Sequence, residues 1–208
     1  TLRLLPEIDI LGVTGRRGEE RLIRSFNPAI RAVDINCVVD HATLAERPWT
    51  WMLKGKKVLV IHPFAETIRS QYARRELLFP GRDVLPEFEL ITLKAVQSCG
   101  ILPHGFPYTD WFGALESMCR EIEGIEYDIA LIGAGAYGMF LGAFCKRCGR
   151  QAVHMGGALQ LLFGIRGTRW ERQYPPEFGA RLFNPHWVSP SPSERPEGYR
   201  AIEDGCYW

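Results

Sequence analysis

The sequence predicts an α/β fold: a mainly parallel sheet with helices on both faces, followed by an irregular C-terminal tail rich in proline and aromatic residues. Three observations carry that prediction. Short apolar runs rich in β-branched residues recur along the chain, and helix-compatible segments separate several of them. The run Ile129, Ala130, Leu131, Ile132 has no polar alternation, as a central parallel strand buried on both faces requires. After Tyr174 the chain changes character, with prolines at 175, 176, 185, 190, 192 and 196 that leave little room for regular structure.

Taken in order, strands are expected at Ile8–Val13, Ile30–Ile35, Lys57–Ile61, Phe88–Leu93, Asp128–Ile132 and Gln151–His154. Their alternation with helical segments argues for parallel pairing. Trp111, Leu115, Met118 and Ile122 recur at spacings of three and four, so Asp110–Glu123 reads as an amphipathic crossover helix, capped by Thr109 and ended by Gly124. A second helix is expected from Tyr137 to Cys148, with Lys146 and Arg147 near its negative end and Gly149 as C-cap. Residues 1–174 form a single domain in this reading, and residues 175–208 a tail that wraps it. The tail aromatics Phe178, Phe183, Trp187, Tyr199, Tyr207 and Trp208 need cover from water. Because Thr1 leads almost at once into strand-like sequence, the natural beginning of the chain is expected upstream of it.

With 46% hydrophobic residues, a chain of 208 can close one substantial core. Its 25 lysines and arginines against 24 acids leave a net charge of +1, which gives no global reason for a nucleic-acid or membrane-surface partner. A small-molecule partner is expected instead. No apolar run approaches the roughly 20 residues of a membrane span, and no signal segment opens the chain. Cys37, Cys99, Cys119, Cys145, Cys148 and Cys206 are not spaced as a disulfide framework, which suits a reducing compartment and a cytoplasmic location. Cys145 and Cys148 form a CxxC inside a predicted helix without a second ligand pair, and read as two helix-face thiols.

The sharpest local signal is Gly133, Ala134, Gly135, Ala136, Tyr137, Gly138, a GxGxxG between a predicted strand and a predicted helix. Glycines there permit a tight turn with close backbone approach, and the amides at the helix start offer a positive end to a phosphate. The alternative is that the glycines only let helix and strand pack closely. A dinucleotide reading needs an acid about 20 residues further on. His154, Met155, Gly156 and Gly157 stand in that place, so an NAD(P)-dependent oxidoreductase is disfavoured.

Another strand end carries His62, Pro63, Phe64, Ala65, Glu66 and Thr67. Ligands of open α/β sheets gather at the carboxyl ends of strands, so His62, Glu66 and the glycine loop are candidates for one crevice. Glu66, in the first turn of a helix, is either an acid–base group or a complement to the helix dipole. His154 is either a donor to a phosphate or sugar hydroxyl or a structural polar group. Gln97 and Ser98 are weaker candidates of the same kind. Arg166 and Arg169 could pair with a diphosphate or belong to a solvated turn. No nucleophile elbow, HExxH, P-loop lysine or DxD is present, which removes several hydrolase and NTPase readings.

The run Tyr127-Asp-Ile-Ala-Leu-Ile-Gly-Ala-Gly-Ala-Tyr-Gly138, with His154-Met-Gly-Gly-Ala-Leu-Gln-Leu-Leu-Phe-Gly164 and Arg169-Trp170, resembles bacterial members of the GT-D type glycosyltransferase superfamily. Leu53-Lys-Gly-Lys-Lys-Val-Leu-Val-Ile-His-Pro-Phe-Ala-Glu-Thr67 and the closing Gly205-Cys-Tyr-Trp208 are similar to the same group. The resemblance implies a Rossmann-like sheet that binds a nucleotide sugar and passes the sugar to a hydroxyl of a growing glycan in polysaccharide synthesis. Donor binding would then fall on Gly133, Gly135, Tyr137, Gly138, His154, Gly156, Gly157 and Gln160, and acceptor deprotonation on Glu66 or His62. It also implies an acidic motif near the N-terminus, which this sequence does not show. Either the motif lies upstream of Thr1, or Glu66 replaces it, or the chain is a non-catalytic nucleotide-binding or assembly module. A divalent metal is compatible with this chemistry, although no ligand spacing supports one.

Overall fold

The computed structural model describes residues 2–40, 43, 45–97, 106–174, 179 and 182–208. Ser98, Cys99, Pro175, Pro176 and Phe178 lie outside the described residues.

At the N-terminal end, β1 (Ile10–Val13), α1 (Glu19–Phe26) and β2 (Arg31–Asp34) form a small unit whose two strands pair in parallel. Both segments are strands, but they stand apart from the main sheet. The reason is visible in their exposure: each has only four residues and is at most half-buried. Ion pairs from Lys146 to Asp9 at 2.7 Å and from Arg147 to Glu7 at 3.1 Å tie this end of the chain to the body.

The main sheet holds four parallel strands in the order β4, β3, β5, β6. They are β3 (Lys57–His62), β4 (Glu89–Lys94), β5 (Ile129–Ile132) and β6 (Gln151–His154). β3 is buried along five of its six residues, and its side chains alternate between two cores as the period of a strand demands. Val58 and Val60 join one cluster with Leu131 and Ile68, while Leu59 and Ile61 join another with Ala130, Ile132, Met118 and Leu141. Each such fully buried aliphatic side chain contributes about 1.5–3 kcal/mol relative to exposure.

The helices fall on both faces accordingly. α2 (Ala65–Tyr72), α3 (Arg75–Leu78), α6 (Leu159–Leu162) and α7 (Thr168–Gln173) cover the first face. α4 (Trp111–Glu123) and α5 (Gly138–Arg147) cover the second. The cap of α4 is Asp110 and not Thr109: its carboxylate accepts the Gly113 amide at 2.8 Å. α5 stops at Gly149, whose φ of +74° is left-handed, with the Arg150 amide returning to the Cys145 carbonyl at 2.9 Å.

The tail supplies core to the first face. Leu182, Trp187 and Trp208 are buried in the cluster that holds Val58 and Leu131. The Trp187 indole donates to the Leu78 carbonyl at 3.1 Å, and that of Trp208 to the Glu194 carbonyl at 3.3 Å. Cys37, Cys119, Cys145, Cys148 and Cys206 are free thiols. Among the described residues no helix is long and apolar enough to cross a membrane.

Candidate functional site at the reversal of strand order

The chain leaves β3 for β4 on one side and returns to β5 on the other, so strand order reverses between β3 and β5. A ligand crevice is expected outside their carboxyl ends. Those ends carry His62 and Gly133.

His62 is 3% exposed, and its Nδ1 accepts the Phe64 amide at 3.0 Å. Desolvation pushes its pKa down to about 3, so the ring is neutral and carries its proton on Nε2. The ring packs directly on the glycine loop. A Cβ at position 133 would stand 2.5 Å from His62 Cδ2 and 2.7 Å from the Gly156 carbonyl oxygen, so only glycine fits. His62, Gly133 and Gly156 are thus brought together.

His154, from the end of β6, takes the other end of the loop. A Cβ on Gly138 would overlap its ring. His154 Nδ1 lies 3.2 Å from the Ile132 carbonyl, which can only accept, so Nδ1 bears the proton and Nε2 the lone pair. The residue is exposed, and desolvation by the surrounding protein lowers the pKa of its ring. The two imidazoles flanking the loop are therefore opposite tautomers.

Between them, Gly135 has the left-handed φ of +51° with open space where a Cβ would be. The amides of Ala134, Gly135 and Ala136 have no protein acceptor among the described residues. Tyr137 is buried and stacks on Trp111 of α4 with ring centroids 5.0 Å apart. The first and last glycines of the motif make room for histidine rings, and the middle one makes the turn.

Other expected residues are placed elsewhere. Gln160 is fully buried, donating to the Ile165 and Tyr207 carbonyls at 3.3 Å each, which leaves it no surface for a ligand. A Cβ on Gly157 would overlap the Tyr207 ring, so that glycine admits the tail. Arg169 donates to Glu203 at 2.6 Å and to the Tyr207 hydroxyl at 2.7 Å, and the Arg166 amide donates to the Val188 carbonyl at 2.7 Å. The Arg169 side chain and the Arg166 backbone hold the tail, while the Arg166 Nε is buried without a partner among the described residues.

Glu66 is exposed, and its backbone amide, with that of Thr67, points at a group that no local signal announces. Glu194 of the tail is 3% exposed and places its carboxylate on the N-terminus of α2. It accepts the Glu66 amide at 2.8 Å, the Thr67 amide at 3.3 Å and the Thr67 hydroxyl. A carboxylate from 128 positions away stands where an anion would bind this helix.

Beside it, a cavity of about 460 Å³ opens at the ends of β3 and β4, lined in part by Lys94, Gln97, Phe106, Tyr108 and Arg195. Among the described residues no group of three His, Cys, Asp or Glu side chains converges as metal ligands would. Comparison with family models, with curated proteins and with solved structures gives no match for this chain.

Proposed function

We propose that the protein is a nucleotide-sugar-dependent glycosyltransferase that passes a sugar to a hydroxyl of a growing glycan. The observation that carries this reading is the reversal point of the sheet. The amides of Ala134, Gly135 and Ala136, without a protein acceptor among the described residues, lie there between two uncharged imidazoles of opposite tautomer, and Gly135 and Ala136 are exposed. Backbone N–H groups suit the oxygens of an activated sugar phosphate, and the resemblance to the GT-D group supplies the reaction class.

Two neutral histidines suit proton handling at neutral pH. His154 presents a lone pair on Nε2 and is oriented by the Ile132 carbonyl, so it is the group to receive the acceptor's proton. The acceptor oxygen then bonds to the anomeric carbon, whose bond to the phosphate oxygen breaks, and the electron pair leaves with the nucleoside diphosphate. His62 cannot be the base, since its lone pair is held by the Phe64 amide, but its Nε2–H can donate. Glu66, exposed in the first turn of α2, is the alternative base. The five free thiols among the described residues suit the proposed cytoplasmic location.

Isothermal titration of the full chain with UDP-, GDP-, CMP- and dTDP-sugars, followed by assay of the released nucleotide, tests the proposal. We expect one donor to bind, and turnover to fall at least 100-fold in His154→Ala with little change in donor affinity. No binding of any nucleotide sugar would overturn the reading. Binding without turnover would leave the non-catalytic module in its place.

A further inference from the structure

Sequence alone places the nucleotide phosphates on the glycine loop, yet two of that loop's glycines are taken up by His62 and His154. The 460 Å³ cavity opens at the ends of β3 and β4, on the far side of β3 from β5, and no residue of the loop lines it. Its volume falls within the range of small-molecule sites, about 300–1,000 Å³.

The charge of its walls is decided by Glu194. That carboxylate is turned toward α2, where the amides of Glu66 and Thr67 and the Thr67 hydroxyl engage it. The N-terminus of α2 is thereby closed to any other anion. Lys94 and Arg195, both exposed, have no ion-pair partner among the described residues. The cavity therefore carries two cations without an ion-pair partner among the described residues, which attract an anionic group. Its remaining wall is aromatic and polar. Phe106 and Tyr108 meet edge to face at 5.5 Å, the Tyr108 hydroxyl is fixed on Ser117 at 3.2 Å, and Gln97 offers an amide. A flat ring finds a stacking surface there, and its polar edge a partner.

We infer that this cavity receives a nucleoside phosphate, with the phosphate on Lys94 and Arg195 and the base against Phe106 and Tyr108. The inference rests on the transferase reading for its ligand class, and moves the nucleoside and its phosphate from the glycine loop to the cavity at the ends of β3 and β4. The loop amides and the two histidines then keep the sugar-linked phosphate, the sugar and the acceptor. Glu194 anchors the turn that carries Arg195.

The test is titration of the full chain with UDP, GDP, CMP, dTDP and the corresponding unphosphorylated nucleosides, repeated on Lys94→Ala and Arg195→Ala. Both side chains are exposed, so both variants should keep the wild-type unfolding midpoint. We expect one nucleotide to bind, each variant to weaken it about tenfold or more, and its nucleoside to bind about tenfold or more weakly than the nucleotide. A nucleotide bound equally by wild type and variants would overturn the inference and leave the transferase reading standing. Nucleotide binding that depends on both cations, without turnover of any nucleotide sugar, would support the inference while removing the transferase reading. No nucleotide binding to the wild-type chain would overturn both.

Discussion

Lowering the pH from 8 to 5 is expected to weaken folding through His62. Its imidazole titrates near 6.5 in the unfolded chain and at about 3 when buried. Between those values the unfolded chain holds a proton that the native chain refuses, so stability is full above the unfolded value and falls as the pH drops toward the folded one. For one site with these two values the loss between pH 8 and 5 is about 2 kcal/mol, and it levels off at about 5 kcal/mol below pH 3. His62→Asn retains an acceptor near the Phe64 amide and removes the titrating group. Urea unfolding followed by tryptophan fluorescence at pH 5, 6, 7 and 8 gives the free energies of both proteins. His154 shifts in the same direction but is common to both, so it cancels in the comparison. The wild type should lose about 2 kcal/mol more than the variant. If the two profiles run parallel from pH 8 to 5, His62 is not held neutral, and the account of its packing on Gly133 fails.

Four further outcomes follow from the packing of the loop and the tail. Gly138→Ala should cost about 1–3 kcal/mol, and adding His154→Ala should recover most of that, because the ring is what the new methyl meets. Gly135→Ala should cost about 1 kcal/mol from its left-handed φ alone, with no rescue by His154→Ala. Glu194→Ala leaves the Glu66 and Thr67 amides without their acceptor and should cost about 2 kcal/mol by urea unfolding, whereas Glu194→Gln keeps an acceptor and should cost less. Trp208→Ala should cost about 3–5 kcal/mol, and limited proteolysis should then cut the tail first.

The elements of the main sheet are legible because their signals are local. β5 shows itself by an unbroken apolar run, α4 by spacings of three and four, and α5 by the glycine that ends it. Even here the cap of α4 falls one residue later than expected, since Thr109 and Asp110 are both good caps and only geometry chooses. Pairing is not local. Nothing in Ile10–Val13 or Arg31–Asp34 says that these strands join each other and not β3 to β6, although their short runs and partial exposure account for it afterwards. The site divides in the same way. His62, His154 and the loop glycines are found from strand ends and a motif, but the ring-on-glycine contacts need residues 71 positions apart for His62 and Gly133, a distance read from the numbering itself. Glu194 on α2, and the cavity cations Lys94 and Arg195, have no local signature at all.

The position of β3 has a consequence for synthesis. It is the first of the four main strands to be made, yet its neighbour β5 comes much later; the Lys57 amide waits for Asp128, 71 positions on. At about 5–20 residues per second a ribosome needs roughly 4–14 s to cover that distance. Throughout that interval Val58, Leu59, Val60 and Ile61, all without exposure in the finished protein, have one side of their backbone unclaimed and their two surfaces only partly covered, since Leu131, Leu141, Leu162 and Trp208 are still to come. The nascent chain is therefore a natural client for chaperones that recognise extended aliphatic segments, and the length of that dependence is written into the order of the strands.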